Sequence, residues 1–305
     1  MIGRASTEMR VRSGGISLPS GLWTSVRIAL PCLPTMTPTD ETPTVAIDID
    51  NVWLMRNDRP ILRDVSWNVR AGEQAAILGP NGSGKSTLAR ILLGYLWATR
   101  GTVRVAGRVF GETNLNDLRQ VVRLVQPTLP FEIDPAMSVR EVVFTGFQGT
   151  LAVYSAMSDE QATRVDAVSD RFGLHRLAGG AYGHLSTGEK LRTQLARAMI
   201  VKPKVLILDE PTAGLDIRGR EELLELLDDM GSEPHAPAMV MVTHHTEELP
   251  RRTSNVLLLD NGVASATGTP EAVLTGERLS QVYGCPVEVH VAERRYHLHA
   301  KSRFV

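Results

Sequence analysis

Gly79-Pro80-Asn81-Gly82-Ser83-Gly84-Lys85-Ser86-Thr87 has the spacing G-x-x-x-x-G-K-[ST], and the chemistry of that spacing is phosphate binding. Gly82 and Gly84 carry no Cβ, so the backbone can close around phosphate oxygens. Lys85 suits the β- and γ-phosphates, and the Ser86 hydroxyl suits Mg²⁺. A glycine-rich turn that happens to hold a lysine is the alternative, and the flanks argue against it. The apolar run Ala75 to Leu78 enters the loop as a buried strand would. Leu88, Ile91, Leu92 and Tyr95 leave it at helical spacing. Strand, loop and helix together aim backbone N–H groups and the positive end of a helix dipole at phosphate. The chain is expected to bind a nucleoside triphosphate.

A second group of residues lies downstream. Asp209 and Glu210 follow the apolar run Val205 to Leu208, at the carboxyl end of a core strand, where ligands bind in open α/β sheets. Asp209 suits holding Mg²⁺ through water, and Glu210 suits accepting a proton from an attacking water. Helix capping is the alternative for one such acid; two together after a phosphate loop favour catalysis. Leu185-Ser186-Thr187-Gly188-Glu189 reads on physics alone as a Ser/Gly cap of the helix through Met199.

The elements that must position these residues can be read from pattern. Thr44 to Ile49, Trp53 to Met55 and Val65 to Val69 each read as strands, with Trp53 a core residue. Thr102 to Ala106 and Arg108 to Phe110 flank Gly107 as a hairpin. A polar helix, Asn114 to Gln120, leads to the strand Val121 to Val125. Ser158 with Gln161 forms a capping box, Val165, Val168 and Phe172 mark one helix face, and Gly173 supplies its stop. Leu191, Leu195 and Met199 mark a helix following Gly188, and Leu223, Leu224 and Leu227 another. The runs Val205 to Leu208 and Ala238 to Val242 read as strands buried on both faces. Strands alternating with helices around a phosphate loop predict an α/β core, with a helical insertion over about residues 128 to 185.

Composition narrows the function classes. Of 305 residues 43% are hydrophobic, enough for a substantial core, and 33 Lys+Arg against 34 Asp+Glu leave almost no net charge. A nucleic-acid binder relying on a strongly basic face is not expected. Cys32 and Cys285 make neither a disulfide framework nor a metal-ligand spacing, which suits a reducing, cytoplasmic setting. No run approaches the ~18–20 apolar residues that cross a bilayer. Residues 1–43 mix Gly, Ser, Thr and Pro with scattered arginines, and their apolar patch, Val26 to Leu33, is broken by Arg27 and Pro31. A disordered extension is expected there, with Met36 an alternative start.

The order of these motifs resembles the ATP-binding-cassette (ABC) ATPase family over roughly residues 44 to 275. It runs from the phosphate loop to Gln126 closing a strand, then Leu185 to Glu189, Asp209-Glu210, Ala213-Gly214-Leu215-Asp216 and Thr243-His244. The resemblance implies a P-loop NTPase core, a RecA-like mixed sheet with helices on both faces. It adds an antiparallel β subdomain and the inserted α-helical subdomain. Two cassettes, identical or different, would dimerise head to tail with each ATP between the phosphate loop of one and the signature loop of the other. Ser186 and Gly188 would then bind the γ-phosphate held on the opposite chain. Gln126 resembles the glutamine that touches Mg²⁺ and the attacking water, and His244 the switch histidine on the γ-phosphate. Asp216 would belong to the loop linking the two sites, whereas His245 has no such assignment. Two departures stand out: Thr187 replaces the middle glycine of the signature, and Arg56 occupies the place of the usual adenine-stacking aromatic. A guanidinium can stack on a purine face.

As a transporter subunit, the chain would sit peripherally on the cytoplasmic face of the membrane and drive a separate transmembrane permease. Phe144, Phe147, Leu151, Val153 and Tyr154 are expected to be mostly core, with an exposed subset as the docking face. Gly268 to Leu274 and Leu279 to Gly284 resemble the tails of importer-type cassettes, loosely those of metal-chelate uptake, and the signature points loosely to molybdate uptake. An importer would add a substrate-binding protein. Residues 276–305 form a tail in which Val287, Val289 and Val291 alternate as a small strand pair. His290, His297 and His299 on it read as solvated rather than metal-binding. The competing function is a soluble ABC ATPase acting on ribosomes or DNA, which usually carries paired cassettes or a long coiled coil. A small-molecule kinase would need neither the signature nor a switch histidine.

Overall fold

Alternating apolar and polar residues build the first layer, an antiparallel sheet with one buried face. β1 (Val45–Arg56) and β2 (Arg59–Arg70) pair through a turn at Asn57 and Asp58, both at positive φ as a two-residue hairpin requires. The computed structural model describes residues 45–127 and 133–301, so Thr44, the expected disordered extension 1–43 and the first residues of the helical insertion lie outside the described residues. The strands expected at 44–49 and 53–55 are one strand. A bulge absorbs the break: Asn51 takes φ 50°, the register shifts between Ile49 and Val52, and the Asn51 N–H donates to Ser66 Oγ at 2.9 Å. Trp53, expected in the core, is only half-buried.

β3 (Gln74–Leu78) is buried throughout and feeds the phosphate loop, from which α1 (Lys85–Leu92) departs. Tyr95, expected on that helix, lies beyond its end and is 52% exposed, because Gly94 at φ 72° turns the chain away. β4 (Arg100–Val105) and β5 (Arg108–Val109) complete the antiparallel sheet in the order β2-β1-β4-β5. α2 (Leu115–Val121), capped by the Asn114 side chain, leads to β6 (Val122–Val125).

The helical middle begins with α3 (Val139–Gln148) and α4 (Asp159–Arg171), each opened by a complete capping box, from Ser138 with Glu141 and from Ser158 with Gln161. α5 (Thr187–Met199) starts two residues earlier than expected, so Gly188 lies inside its first turn and Ser186 is the cap. β7 (Val205–Asp209), α6 (Ile217–Ser232) and β8 (Ala238–Val242) return the chain to the centre. β9 (Thr253–Asp260) and β10 (Val263–Gly268) close a six-stranded sheet ordered β10-β9-β3-β8-β7-β6, parallel except for β10. The tail forms α7 (Pro270–Val273), α8 (Gly276–Tyr283) and the hairpin β11 (Val287–Ala292) with β12 (Arg295–Ala300).

Strand alternation divides the core. On β7, Val205 and Ile207 face the antiparallel sheet and α1, whereas Leu206 and Leu208 face α3, α5 and α6. A third cluster joins Leu78, Val256 and Leu258 to Leu279, Val282 and Tyr296 of the tail. Burying each such Leu or Val stabilises the fold by about 1.5–3 kcal/mol. The central sheet is therefore held from both faces, and its carboxyl edge presents the candidate site. Among the described residues, no helix is long and apolar enough to cross a membrane.

Candidate nucleotide site

The phosphate loop keeps its shape because three of its glycines adopt backbone geometry closed to other residues. Gly79 lies at φ 150°, and a Cβ there would sit 2.1 Å from the Leu259 carbonyl oxygen. Gly84, at φ 103°, would drive a Cβ to 2.8 Å from Leu62 Cδ2. Gly82 differs: it is at φ 82°, but its Cβ direction meets nothing within 4 Å and opens outward. The loop is braced from outside by the β9–β10 turn, where Asn261 and Gly262 both take positive φ. The Gly262 N–H donates to the Ser83 carbonyl at 3.0 Å. This brace was not expected, although Asn-Gly between two apolar strands is a strong hairpin signal.

Lys85 is 5% exposed, and its ammonium donates to the Gly79 and Pro80 carbonyls at 2.9 and 3.0 Å. Three donors on one nitrogen leave a third for a ligand. Burial pushes its pKa down, while Glu210 and Asp209 pull it back up. Asp209 is pushed above the usual carboxylate range, first by burial and then by neighbouring Glu210, against the Ser86 hydrogen bond and the charges of Arg90 and Lys85. Both shifts describe charges withdrawn from water at one edge of the sheet, where a polyphosphate would meet them.

Ser86 Oγ donates to Asp209 Oδ1 at 3.4 Å. Val125 pairs with Leu208, so Gln126 and Asp209 are the next residues along their two strands. Hydroxyl, carboxylate and amide oxygens are the donor set that a small hard dication takes. The residues fit ATP as well: Gly82 opens onto free space beside the loop, and the Ser83 hydroxyl is buried without a hydrogen-bond partner among the described residues.

Glu210 takes φ 48°, a left-handed conformation costing a non-glycine residue about 1–3 kcal/mol and concentrated at functional sites. Its N–H is anchored on the Val242 carbonyl at 2.8 Å. That geometry turns its carboxylate toward His244, whose Nδ1 lies 3.1 Å from Glu210 Oε1. β7 and β8 are adjacent, and this adjacency brings together two residues 34 positions apart. His245, given no role, stacks on His244 with ring centroids 3.9 Å apart and pairs with Glu247 at 3.5 Å. An acid beside an imidazole can accept a proton from water and hold it.

Other residues fall elsewhere. Ser186 caps α5, its Oγ accepting from the Glu189 N–H at 3.3 Å. With Gly188 it lines a shallow groove beside Gly214 and Asp216, and Asp216 caps α6. Among the described residues, no hydrogen bond or ion pair joins Ser186 or Gly188 to the phosphate loop. Arg56 is exposed at the end of β1, paired with Arg59 across the hairpin. In the helical middle Phe144 is buried, Phe147 and Leu151 are partly buried, and Val153 and Tyr154 stand 41% and 78% exposed. His290 and His297 face each other across the terminal hairpin, and among the described residues no group of three or more His, Cys, Asp or Glu side chains is placed to hold a metal ion.

The chain is similar over most of its length to known proteins of one family. The family model described as ABC transporter matches residues 62–213. The ABC transporter ATP-binding protein YmeB of Lactococcus lactis is 34% identical over 250 residues, covering 82% of this chain and 96% of the relative. The hemin import ATP-binding protein HmuV of Rhodococcus jostii is 32% identical over 247 residues, 80% of this chain and 82% of that protein. Among solved structures, cbiO1 from Clostridium perfringens, part of the ABC transporter complex cbiONQ, aligns with a TM-score of 0.68 at 29% identity over 78% of this chain and 94% of that one. Phosphate loop, paired acids and histidine at one sheet edge, together with relatives matched over nearly their whole length, establish that the chain belongs to the ABC transporter ATP-binding protein family, as a subunit that binds and hydrolyses ATP.

Proposed function

We propose that this chain powers import through a separate membrane permease, bound peripherally at the cytoplasmic face, by closing as a dimer on ATP and resetting on hydrolysis. The observation that carries the hydrolytic half is the Glu210–His244 pair, 3.1 Å apart at the carboxyl edge of the sheet that holds the phosphate loop. Gly79 to Thr87 wrap the phosphates, with Lys85 on the terminal two. Ser86, Asp209 and Gln126 are the residues to hold Mg²⁺, which when bound neutralises charge on the phosphate oxygens. Glu210 accepts the proton of the attacking water, and His244 contacts the terminal phosphate. Asp216 links the two sites of the dimer.

A second copy completes the site. Ser186 and Gly188 open a helix whose N-terminus favours an anion, yet among the described residues no hydrogen bond or ion pair ties them to the phosphate loop of their own chain. Across a head-to-tail dimer, whether of two such chains or with a related cassette, they would meet the γ-phosphate. Exposed Val153 and Tyr154 suit the permease contact. Import, with a substrate-binding protein as third component, is supported by similarity to a hemin import subunit. No nucleic-acid partner is proposed.

The test is a pull-down from detergent-solubilised membranes with Glu210→Gln protein and ATP. Recovery of a polytopic membrane protein is the expected result. Ribosomal or DNA-repair components without any membrane protein would overturn it.

A further inference from the structure

The tail grips the loop that carries His244. That loop runs from Thr243 through His244 and His245 into the single turn Thr246–Glu248. Its own bonds are short-range: Thr243 Oγ1 donates to Glu248 Oε2 at 2.5 Å, and the His245 N–H donates to Thr243 Oγ1 at 3.1 Å. The Glu248 N–H donates to the His245 carbonyl at 3.4 Å and the Leu249 N–H to the Thr246 carbonyl at 3.3 Å, while the Thr243 N–H is tied to the Ile77 carbonyl of β3 at 3.2 Å. Further bonds come from the C-terminal elements. The Tyr283 hydroxyl, at the last residue of α8, donates to the His244 carbonyl at 3.2 Å. Thr246 Oγ1 donates to the Tyr296 carbonyl of β12 at 2.7 Å. The Arg295 guanidinium, 6% exposed as a residue, lies 3.0 Å from Glu221 Oε2 of α6 and 3.5 Å from the Glu247 carbonyl.

Apolar packing of Leu279, Val282 and Tyr296 attaches the tail to the sheet. The polar bonds have another effect. A hydrogen bond on the carbonyl of His244 restrains the peptide that orients its imidazole, and displacements near 1 Å in a reacting constellation lower rates steeply. We propose that Tyr283 is a positioning residue for ATP hydrolysis, through which α8 and the β11–β12 hairpin hold His244 against Glu210. This rests on the hydrolytic reading of Glu210 and His244 given above. It makes the tail part of the machinery that sets turnover.

The test uses the full-length chain. Tyr283→Phe removes only the hydroxyl, and Thr246→Val removes the second tie with little change of shape. In each, kcat should fall about three- to tenfold, the range one lost hydrogen bond allows, with KM for ATP changed less than about twofold. Melting temperature and hydrogen–deuterium exchange are read alongside. Exchange should quicken across residues 243–248 while the phosphate loop keeps its protection. A merely structural tyrosine would lower the melting temperature and leave kcat unchanged. Wild-type kcat in Tyr283→Phe would overturn the proposal, whatever the exchange shows. Glu210→Gln is the control for the underlying reading: if it hydrolyses ATP normally, that reading fails alone. Faster exchange in Tyr283→Phe would then still uphold the tail's grip on the loop, and unchanged exchange would overturn it.

Discussion

Glu210 combines a strained backbone with a hydrogen-bonded carboxylate. Its left-handed φ of 48° is maintained by the Val242 carbonyl on its N–H and by His244 on its side chain. Glutamine preserves size and most hydrogen bonding but takes no proton from water. Glu210→Gln should therefore lose hydrolysis by about 10²–10⁴-fold in kcat while binding ATP normally. Near-wild-type turnover in that variant would refute the role. Lys85 is tied to two carbonyls of its own loop, so its placement precedes the ligand. Lys85→Ala should abolish both binding and turnover, measured by calorimetry and phosphate release. Arg56 is exposed at the hairpin end of β1, where a stacking role would leave it partly solvated. Arg56→Ala should weaken ATP affinity by about two- to fivefold, the value of an exposed cation–π contact. An unchanged Kd removes it from the site.

The helices of the middle region depend on their ends. Ser138 Oγ accepts from the Glu141 N–H at 3.2 Å, and Glu141 Oε2 accepts from the Ser138 N–H at 2.7 Å. Ser138→Ala should destabilise the chain by about 1 kcal/mol at neutral pH, seen as a lower urea midpoint. Hydrogen bonds from the Ser138 side chain and then its backbone hold the Glu141 carboxyl below its ordinary 4.5. A folded pKa below the unfolded one contributes stability in full above 4.5 and loses it as pH falls through the folded value. The gap between wild type and variant should therefore narrow in acid. A gap that stays constant down to pH 2 would show that the carboxylate contributes nothing to the cap.

At the scale of the molecule, the proposed dimer would bring the signature residues of one chain and the phosphate loop of another onto one ATP. With hydrolysis blocked, that closed state should persist. Glu210→Gln with ATP and Mg²⁺ should run as a dimer in size-exclusion chromatography and return to monomer with ADP. A monomer at saturating ATP would sink head-to-tail closure for this chain. The β9–β10 turn, the tail and the loop after β8 all meet the same sheet edge, which couples distant parts of the chain to one site.

Local chemistry made part of this protein legible in its sequence. The Gly79 to Thr87 spacing, the two-faced apolar runs at Val205 and Ala238, and the Ser158 capping box are short-range patterns, each with a physical cause within a few residues. They were sufficient for the α/β core and for naming the phosphate loop, Asp209 and Glu210 as candidates, whereas Gln126, Ser186, Gly188, His244 and Arg56 came from the resemblance in motif order. Tertiary structure decided what depends on strand order and register. It joined Ser86 to Asp209 and Glu210 to His244, merged two expected strands across the bulge at Asn51, and left Tyr95 in solvent. It also brought Tyr283 and Tyr296 onto the His244 loop, from 39 and 50 residues away. No periodicity carries such contacts, because a hydrogen bond between distant segments is set by how sheets and helices pack, and packing is a property of the whole chain.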